Sequence, residues 1–385
     1  MFDPTELHFS SIIVDTHADT PQRFVDENWN FTDPLGNGML NLDAVRRGGL
    51  TAEFLAIWVE PIAWQGRFAF RTRQLLDATH AQIERAPNAL TLGLTPADIV
   101  RAKVDGRFCI LLGIEGGHSI ENSLDLLREY HARGVRYMTL TWSNTNEWAD
   151  SSGDLDDPAI QHHNGLTDFG RNVVREMNRL GMMVDVSHTS DATFWDVLQT
   201  THAPIIASHS SARALTNASR NLSDEQLRAI ATNNGVAMVN FYPSFISNTW
   251  RDTWNSTSDA REKLYAAAAA RAASENRIFL YGEQLAIDRA FYAEHLADKL
   301  PLVPFSTLID HFDHVAQVAG IDHVGIGSDF DGFATLPAGI TSVADLPSIT
   351  RALADRGYTA DQLRKILGGN LLRVFADVQA EAAKE

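Results

Sequence analysis

Cysteine is almost absent from this chain, since Cys109 is the only one among 385 residues. An intramolecular disulfide is therefore impossible, and a zinc site built from several thiolates is excluded. The single thiol lies within the apolar run FCILLGI (108–114), so we expect it to be buried and unreactive.

Positive charge is scarce as well, because 32 Lys and Arg face 49 Asp and Glu, for a formal net charge of −17. Such a surface repels phosphate backbones and anionic lipids, which argues against nucleic acids and peripheral membranes as partners. The sequence contains no apolar stretch of membrane-spanning length and no pattern of a secretion signal. We therefore expect a cytoplasmic protein without membrane insertion.

Motifs for nucleotide binding and for serine hydrolysis are missing too. The chain contains no G-x-x-x-x-G-K-[ST] loop, GIGSDFDG (325–332) lacks the glycine spacing of a dinucleotide site, and ASHSSAR (207–213) lacks a G-x-S-x-G elbow. With these classes excluded, the placement of fourteen histidines becomes the main guide to chemistry.

Short apolar or β-branched runs alternate with helical patterns along the chain. Eight such runs are SIIVDT (11–16), AEFLAIWV (52–59), FCILLGI (108–114), VRYMTLTW (135–142), MMVDVS (182–187), PIIAS (204–208), GVAMVNF (235–241) and HVGIGS (323–328). Helical patterns between them include 123–134, 170–181 and 223–235. This alternation predicts an α/β fold with a parallel sheet, and eight strands are the number that closes a TIM-type (β/α)8 barrel. Because no linker divides the sequence, we expect one domain over residues 1–385.

The longest interval separates the seventh run from the eighth. It contains YAAAAARAASENR (265–277), whose alanines favour a helix. We expect a helical insertion between strands 7 and 8 that forms an external helix or a lid.

Residue types that bind metals follow five of the predicted strands. They are His17 and Asp19 after the first strand, Glu115 after the third, His188 after the fifth, His209 after the sixth and Asp329 after the eighth. TIM barrels carry their active sites at this end of the strands. Each residue alone has an ordinary alternative, since a buried histidine is often a hydrogen-bonded core residue and an aspartate often caps a helix. Together they place three imidazoles and three carboxylates near one another, and divalent cations would offset that buried charge. Six groups are more than one tetrahedral zinc requires, which favours two metals.

The other histidines are expected to have structural roles. His118, in EGGH (115–118), is a candidate for an outer contact to the metal site. The remainder stand in polar loops or helical stretches, where we expect solvated or packing side chains.

Six motifs together resemble those of the membrane (renal) dipeptidase family within the amidohydrolase superfamily. They are DTHADT (15–20), GIEGGHSI (113–120), VDVSHTS (184–190), ASHSSAR (207–213), GSDFDG (327–332) and GGNLLRVF (368–375). The motifs follow the family's order from about residue 10 to residue 376. The resemblance implies a TIM-barrel metallopeptidase with two Zn²⁺ per chain that hydrolyses small dipeptides, including those of the L-X-D-Y type.

The resemblance also implies which residues hold the metals. His17 and Asp19 would bind one zinc, His188 and His209 the other, and Glu115 would bridge both.

Three further residues match positions that act on the substrate in the family. Asp329 would be the carboxylate that moves protons near the attacking water. Arg220, in ASRNL (218–222), would hold the substrate carboxylate, and Tyr242, in NFYPS (240–244), falls where the family has an active-site tyrosine.

One position departs from the family pattern. Trp142 stands in TLTWSNTNEWAD (139–150), where members have a histidine that helps to polarise the scissile carbonyl. An indole offers one N–H donor but neither an acceptor nor a titration. Asn144 and Asn146 are alternative donors nearby.

The resemblance implies that two zinc ions lower the pKa of a shared water, which attacks the peptide carbonyl as hydroxide. Asp329 would accept a proton and return it to the leaving amine, while an arginine fork for the terminal carboxylate would restrict the enzyme to very short peptides.

Two alternatives stay open. One is another amidohydrolase-type reaction, such as deamination or lactone or phosphoester hydrolysis, and the other is a metal-binding relative in which Trp142 prevents ordinary peptidolysis. The sequence is also compatible with a homodimer.

Overall fold

Parallel strands form one sheet in the computed structural model, which describes residues 2–384. The strands are β1 (Val14–Ala18), β2 (Ala52–Trp58), β3 (Leu90–Leu92), β4 (Phe108–Glu115), β5 (Val135–Thr139), β6 (Met183–Asp185), β7 (Ile206–Ala207), β8 (Val236–Val239) and β9 (Val324–Ile326). Their order is β2-β1-β9-β8-β7-β6-β5-β4-β3, and pairing of β2 with β4 closes eight of them into a ring. The eight predicted strands and the TIM-type barrel are confirmed.

β3 lies outside the ring and has no counterpart among the predicted strands. Its three residues pair with the amino-terminal part of β4, from Leu90 opposite Phe108 to Leu92 opposite Ile110. So short an edge strand carries too little apolar pattern to stand out within a long interval between two strands.

Helices connect the strands and surround the ring. They are α1 (Pro4–Ser10), α2 (Pro21–Asp26), α3 (Leu42–Gly48), α4 (Phe68–Arg85), α5 (Pro96–Asp105), α6 (Leu124–Ala132), α7 (Asp168–Leu180), α8 (Asp191–Thr200), α9 (Asp224–Thr232), α10 (Pro243–Ile246), α11 (Asn248–Asn255), α12 (Ser258–Ser274), α13 (Tyr281–Phe291), α14 (Phe305–Ala319), α15 (Leu346–Asp355), α16 (Ala360–Arg364) and α17 (Asn370–Ala382). Short 3-10 helices span Gly117–Ile120, Ile321–His323 and Val343–Asp345, and π-helical turns span Tyr292–Leu296 and Lys365–Gly369. The predicted helices correspond to α6, α7 and α9, and a capping box between Ser223 and Gln226 begins α9.

Alternate residues of each strand join two different apolar cores, because successive side chains point to opposite faces of a sheet. Ile110, Leu112 and Ile114 of β4 belong to the large core beneath the surrounding helices. Cys109 and Leu111 belong to a smaller core that also includes α17. Members of this smaller core include the first residues of several strands, namely Val14, Ala52, Met183 and Val236. Thus α17 packs against the amino-terminal end of the barrel interior, opposite the end where an active site forms.

The insertion predicted between the seventh and eighth strands of the ring is confirmed as α10 to α14. The alanine run lies in α12, where Ala272 is the one buried residue of the helix. By contrast, α13 turns side chains toward the carboxyl ends of the strands, as described below. Within residues 2–384, no helix combines the length and the apolar character needed to cross a membrane.

Candidate active site

The five predicted metal ligands meet at the carboxyl ends of the strands, around Glu115. Its Oε2 lies 3.3 Å from Nε2 of His17, while its Oε1 lies 2.9 Å from Nε2 of His188 and 3.4 Å from Nε2 of His209. Oδ2 of Asp19 is 3.9 Å from Nε2 of His17. One oxygen of the Glu115 carboxylate therefore lies nearest His17, and the other lies nearest His188 and His209.

The hydrogen bond at Nδ1 of His17 determines which of its two ring nitrogens is available to a metal. Nδ1 of His17 lies 2.9 Å from the hydroxyl of Tyr137, and that hydroxyl donates to the carbonyl of Thr16 at 3.0 Å. Because the single proton of the hydroxyl is used in this way, Tyr137 accepts the proton of Nδ1. In the neutral ring the Nε2 atom that faces Glu115 therefore carries the lone pair, as a metal ligand must.

His209 is oriented by the same logic. Its Nδ1 lies 2.7 Å from Oγ of Ser208, which donates to Oδ2 of Asp185 at 2.5 Å. The Nδ1 proton of His209 thus points to Ser208 and leaves Nε2 free. His188 has a longer contact of 3.4 Å from Nδ1 to Oγ of Ser143.

Burial and mutual charge set the protonation states of the cluster. Burial opposes ionisation of Glu115, but the charge of His17 and the close approach of the three imidazoles outweigh it and hold the Glu115 pKa well below its ordinary value. Burial, reinforced by nearby cations, lowers the pKa of His188 to about 4 and that of His209 well below its usual range. Burial also disfavours protonated His17, yet the charge of Glu115 raises the His17 pKa to about 10. A centre that attracts a proton this strongly also attracts a cation.

The donor set fits divalent metal. Nε2 of His17 and Oδ1 of Asp19 are buried without a hydrogen-bond partner, and such atoms are costly unless a ligand satisfies them. Nε2 of His188 and Nε2 of His209 lie 3.0 Å apart, a contact that a cation makes favourable. Ligand atoms lie within 4.8 Å of one another in two overlapping groups, namely His17 with Glu115 and His209, and His17 with Asp19 and Asp329.

Asp329 lies beside this cluster in a fixed orientation. Its Oδ2 accepts a hydrogen bond from Nδ2 of Asn240 at 2.9 Å, and its backbone N–H donates to the carbonyl of His17 at 3.0 Å. Burial raises the pKa of Asp329 to about 6. The group therefore exchanges protons within the range in which general acids and bases work.

His188 and Asp329 both have a left-handed backbone, with φ of 68° and 64°. This conformation costs about 1–3 kcal/mol for residues other than glycine and persists only where surrounding contacts hold it. At His188 the carbonyl accepts bonds from the backbone N–H of Ser152 at 2.8 Å and from Oγ of Ser151 at 3.2 Å. At both residues a strained backbone conformation thus directs the side chain into the cluster.

A cavity of about 210 Å³, which we call the Glu115 cavity, opens over the cluster. Asp19, Glu115, His188 and Asp329 line it, together with aromatic side chains that include Trp58, Trp142, Tyr242, Phe245, Trp254 and Tyr281. The ring centroid of Trp58 lies 4.9 Å from that of Trp142 and 4.7 Å from that of Tyr281. Aromatic rings therefore form a large part of the wall above the cluster, beside its polar side chains.

The residues after β5 are placed differently from one another. Trp142 lines the Glu115 cavity, whereas Asn144 and Asn146 line a separate cavity and do not provide the alternative donor suggested by the sequence. The side chain of Asn146 instead donates to the carbonyl of Leu140 and accepts from the backbone of Trp148, which stabilises the loop. Ser143, not predicted, lines the Glu115 cavity.

Arg220 lies next to the cluster but lines a neighbouring cavity of about 370 Å³, the Arg220 cavity. Its Nη1 donates to Oγ of Ser210 at 2.6 Å and its Nη2 donates to the carbonyl of His209 at 2.9 Å. Burial lowers the Arg220 pKa to about 10, so the side chain stays charged at neutral pH. Tyr242 lines both cavities.

Several of the other histidines bond to structural partners, as expected. His118 bonds through Nε2 to the carbonyl of Val59 at 2.8 Å and packs edge-on against Phe68. Other ring nitrogens contact backbone carbonyls, in His80, His163, His311 and His323.

Sequence reasoning did not identify the residues that the insertion adds to the Glu115 cavity. They are Phe245, Trp254, Arg261, Tyr281, Gln284, Leu285 and Asp288. The hydroxyl of Tyr281 donates to the carbonyl of Gly332, which ties α13 to the loop after β9. The predicted helical insertion thus acts as part of the cavity wall.

Known proteins resemble this chain over nearly its whole length. The model of the membrane dipeptidase family (peptidase family M19) matches residues 3–385. Dipeptidase aclJ of Aspergillus oryzae is 35% identical over 359 residues, which cover 91% of this chain and 72% of that protein. Among solved structures, the probable dipeptidase PvdM from Pseudomonas aeruginosa superposes with a TM-score of 0.80 at 27% identity, covering 98% of each chain. The metallopeptidase called dipeptidase AC gives a TM-score of 0.75 at 26% identity, covering 96% of this chain and 98% of that one.

Proposed function

Because the chain belongs to the membrane dipeptidase family, we propose that it hydrolyses the peptide bond of dipeptides, including L-X-D-Y dipeptides, with two zinc ions per chain. The observation that carries the proposal is the position of Glu115, whose Oε2 faces His17 and whose Oε1 faces His188 and His209. A carboxylate with donors on both sides supports a shared ligand between two metals.

The metals would supply Lewis acidity for the carbonyl and for the attacking water. His17 and Asp19 would hold one, His188 and His209 the other. Asp329, held by Asn240, takes the proton from the attacking water and returns it to the leaving amine. Arg220 binds the terminal carboxylate, and Tyr242 separates that carboxylate from the reacting bond. Trp142 lines the Glu115 cavity, and its indole has one N–H that could donate to a substrate carbonyl.

The proposal is tested by loading the protein with zinc, removing excess metal by dialysis, and assaying matched L-L and L-D dipeptides with a tripeptide of the same sequence start. We expect close to two equivalents of zinc, hydrolysis of dipeptides and little hydrolysis of the tripeptide. Retention of one equivalent, with His188→Ala making no difference, would contradict the two-metal centre.

The same zinc-loaded protein should also be assayed with lactones, phosphoesters and aminopurines. Turnover of one of these with no dipeptide hydrolysis would replace the proposal with another amidohydrolase-type reaction. If metal binds but no substrate is turned over, the chain would be a metal-binding relative.

A further inference from the structure

The two neighbouring cavities carry opposite charge. Among the described residues, the Arg220 cavity is lined by two cations, Arg220 and Arg251, and by no carboxylate. The Glu115 cavity is lined by four carboxylates and one cation, Arg261. In a chain with a net charge of −17, two arginines lining one cavity without an acid there favour an anionic ligand.

Each of these arginines keeps one donor nitrogen without a partner. Nε of Arg220 and Nη1 of Arg251 are both shielded from water and make no hydrogen bond. The side chain of Arg220 is buried, and that of Arg251 is 18% exposed. Buried guanidinium donors without acceptors are destabilising, so both arginines retain unused capacity for a hydrogen bond.

The ion pair of Arg251 does not remove its capacity to bind a ligand. Nε and Nη2 of Arg251 both contact Oδ1 of Asp252, at 3.1 Å and 2.9 Å. The side chain of Asp252 is 67% exposed and does not line the cavity. Because water screens such an exposed carboxylate, the pair is weak and leaves most of the positive charge available.

The two cavities share one wall, formed by Tyr242, Phe245 and Trp254. Under the proposed function Arg220 binds the terminal carboxylate, which would place the C-terminal residue of a dipeptide in the Arg220 cavity while its reacting bond lies in the adjoining Glu115 cavity. If Arg220 binds the α-carboxylate, the next negative group that this cavity can accept is one on the side chain of the same residue.

We infer that Arg251 is a specificity-determining residue that binds an acidic side chain at the C-terminal position of the substrate. The inference rests on the proposed function and specifies its substrate class as dipeptides ending in a glutamate-like or aspartate-like residue. Arg220 and Arg251 then bind the two carboxylates of one residue.

The test compares two dipeptides that differ only in a C-terminal D-glutamate or D-glutamine, which match in size and differ in charge. We expect the native enzyme to favour the glutamate dipeptide in kcat/KM by about tenfold or more, mainly through KM. Arg251→Gln should bring the ratio close to one, and Arg251→Lys should retain part of it. Arg228→Gln, an exposed arginine on α9, is the matched control and should keep the native ratio.

Two results would overturn the inference. One is a native enzyme that hydrolyses both dipeptides equally well, in which case the proposed function stands and the role of Arg251 is wrong. The other is an Arg251→Gln variant that loses activity on both substrates to the same extent, which would indicate a structural role.

Binding measured without turnover separates this inference from the proposed function. Titration calorimetry of the zinc-loaded protein with free D-glutamate and D-glutamine should show tighter binding of glutamate in the native protein, and no difference in Arg251→Gln. If no dipeptide is hydrolysed, the proposed function fails, while an Arg251-dependent preference for glutamate would still support the acidic subsite. Equal binding of the two amino acids to the native protein would overturn the subsite.

Discussion

The Glu115 cavity and the Arg220 cavity share an aromatic wall but differ in almost every other respect. The first gathers carboxylates and imidazoles whose free atoms need cations, and the second gathers guanidinium groups whose free atoms need an anion. Carboxylates bind metals, whereas the fork of an arginine matches a carboxylate. Under the proposed function, reaction and recognition would therefore occupy separate, adjacent compartments. Variants in the Arg220 cavity should then leave the zinc content unchanged, and variants in the wall of the Glu115 cavity should leave the preference for a free C-terminus unchanged.

The largest expected effect comes from removing the shared carboxylate. Glu115→Ala should lose both metals, because the donors on either side lose their common ligand. Several kcal/mol of transition-state stabilisation would be lost, so turnover should fall by about 10⁴-fold or more. Metal analysis after dialysis and a dipeptide assay would measure both losses. If the variant keeps two equivalents of zinc, Glu115 does not bridge.

A smaller loss should follow Asp329→Asn. The amide retains the size of the side chain and tolerates the left-handed backbone, but it cannot accept a proton, so kcat should fall by about 10²–10⁴-fold. Zinc content should stay the same. Asp331→Asn is a matched control two residues away, since that carboxylate bonds to Thr20 and to the backbone of Met39 instead of the cluster. Loss of zinc from Asp329→Asn would make Asp329 a ligand.

The Arg220 cavity is tested by Arg220→Ala. Loss of a charge-assisted bond should lower kcat/KM about ten- to a hundredfold for dipeptides with a free C-terminus. C-terminally amidated dipeptides, already poor substrates of the native enzyme, should change little, so the acid-to-amide ratio narrows. Arg213→Ala serves as a control, because Arg213 pairs with Asp191 and does not line the cavity. Equal losses for acids and amides would contradict a carboxylate clamp.

Trp142→His should have the smallest effect, and it should be confined to the Glu115 cavity. A carbonyl-side donor of the family type should raise kcat about two- to tenfold, the worth of one ordinary hydrogen bond. The acid-to-amide ratio should not change, because Trp142 does not line the Arg220 cavity. A lost substrate preference at unchanged kcat would identify the tryptophan as a specificity wall instead.

The barrel was predictable because its signals are local and repeated. Each of the eight strands is a short apolar run, and each potential ligand stands within a few residues of the end of its run, so the topology of the fold brings the ligands together. β3 was not predicted, because a strand of three residues at a sheet edge is too short to show an apolar pattern.

Contacts made by the insertion could not be predicted in the same way. Tyr281 and Trp254 reach the Glu115 cavity through the path of a long connection, and that path depends on packing rather than on strand periodicity. Arg251 is similar, since its sequence context shows only an arginine on a short helix. The asparagines after β5 show that closeness in sequence does not predict a shared cavity. Both are close to Trp142 in sequence, yet they line a different cavity.

The left-handed backbone at His188 and Asp329 also narrows the routes by which this site can evolve. Glycine, asparagine and aspartate accept that conformation, whereas a β-branched residue would have to abandon the turn. A descendant that loses its metals is therefore expected to carry one of these small residues at the two positions and to keep its barrel intact. Glu115 lies in a regular strand, so its backbone places no such restriction on the residues that could replace it. Relatives that have lost the metals should therefore vary less in residue type at His188 and Asp329 than at Glu115.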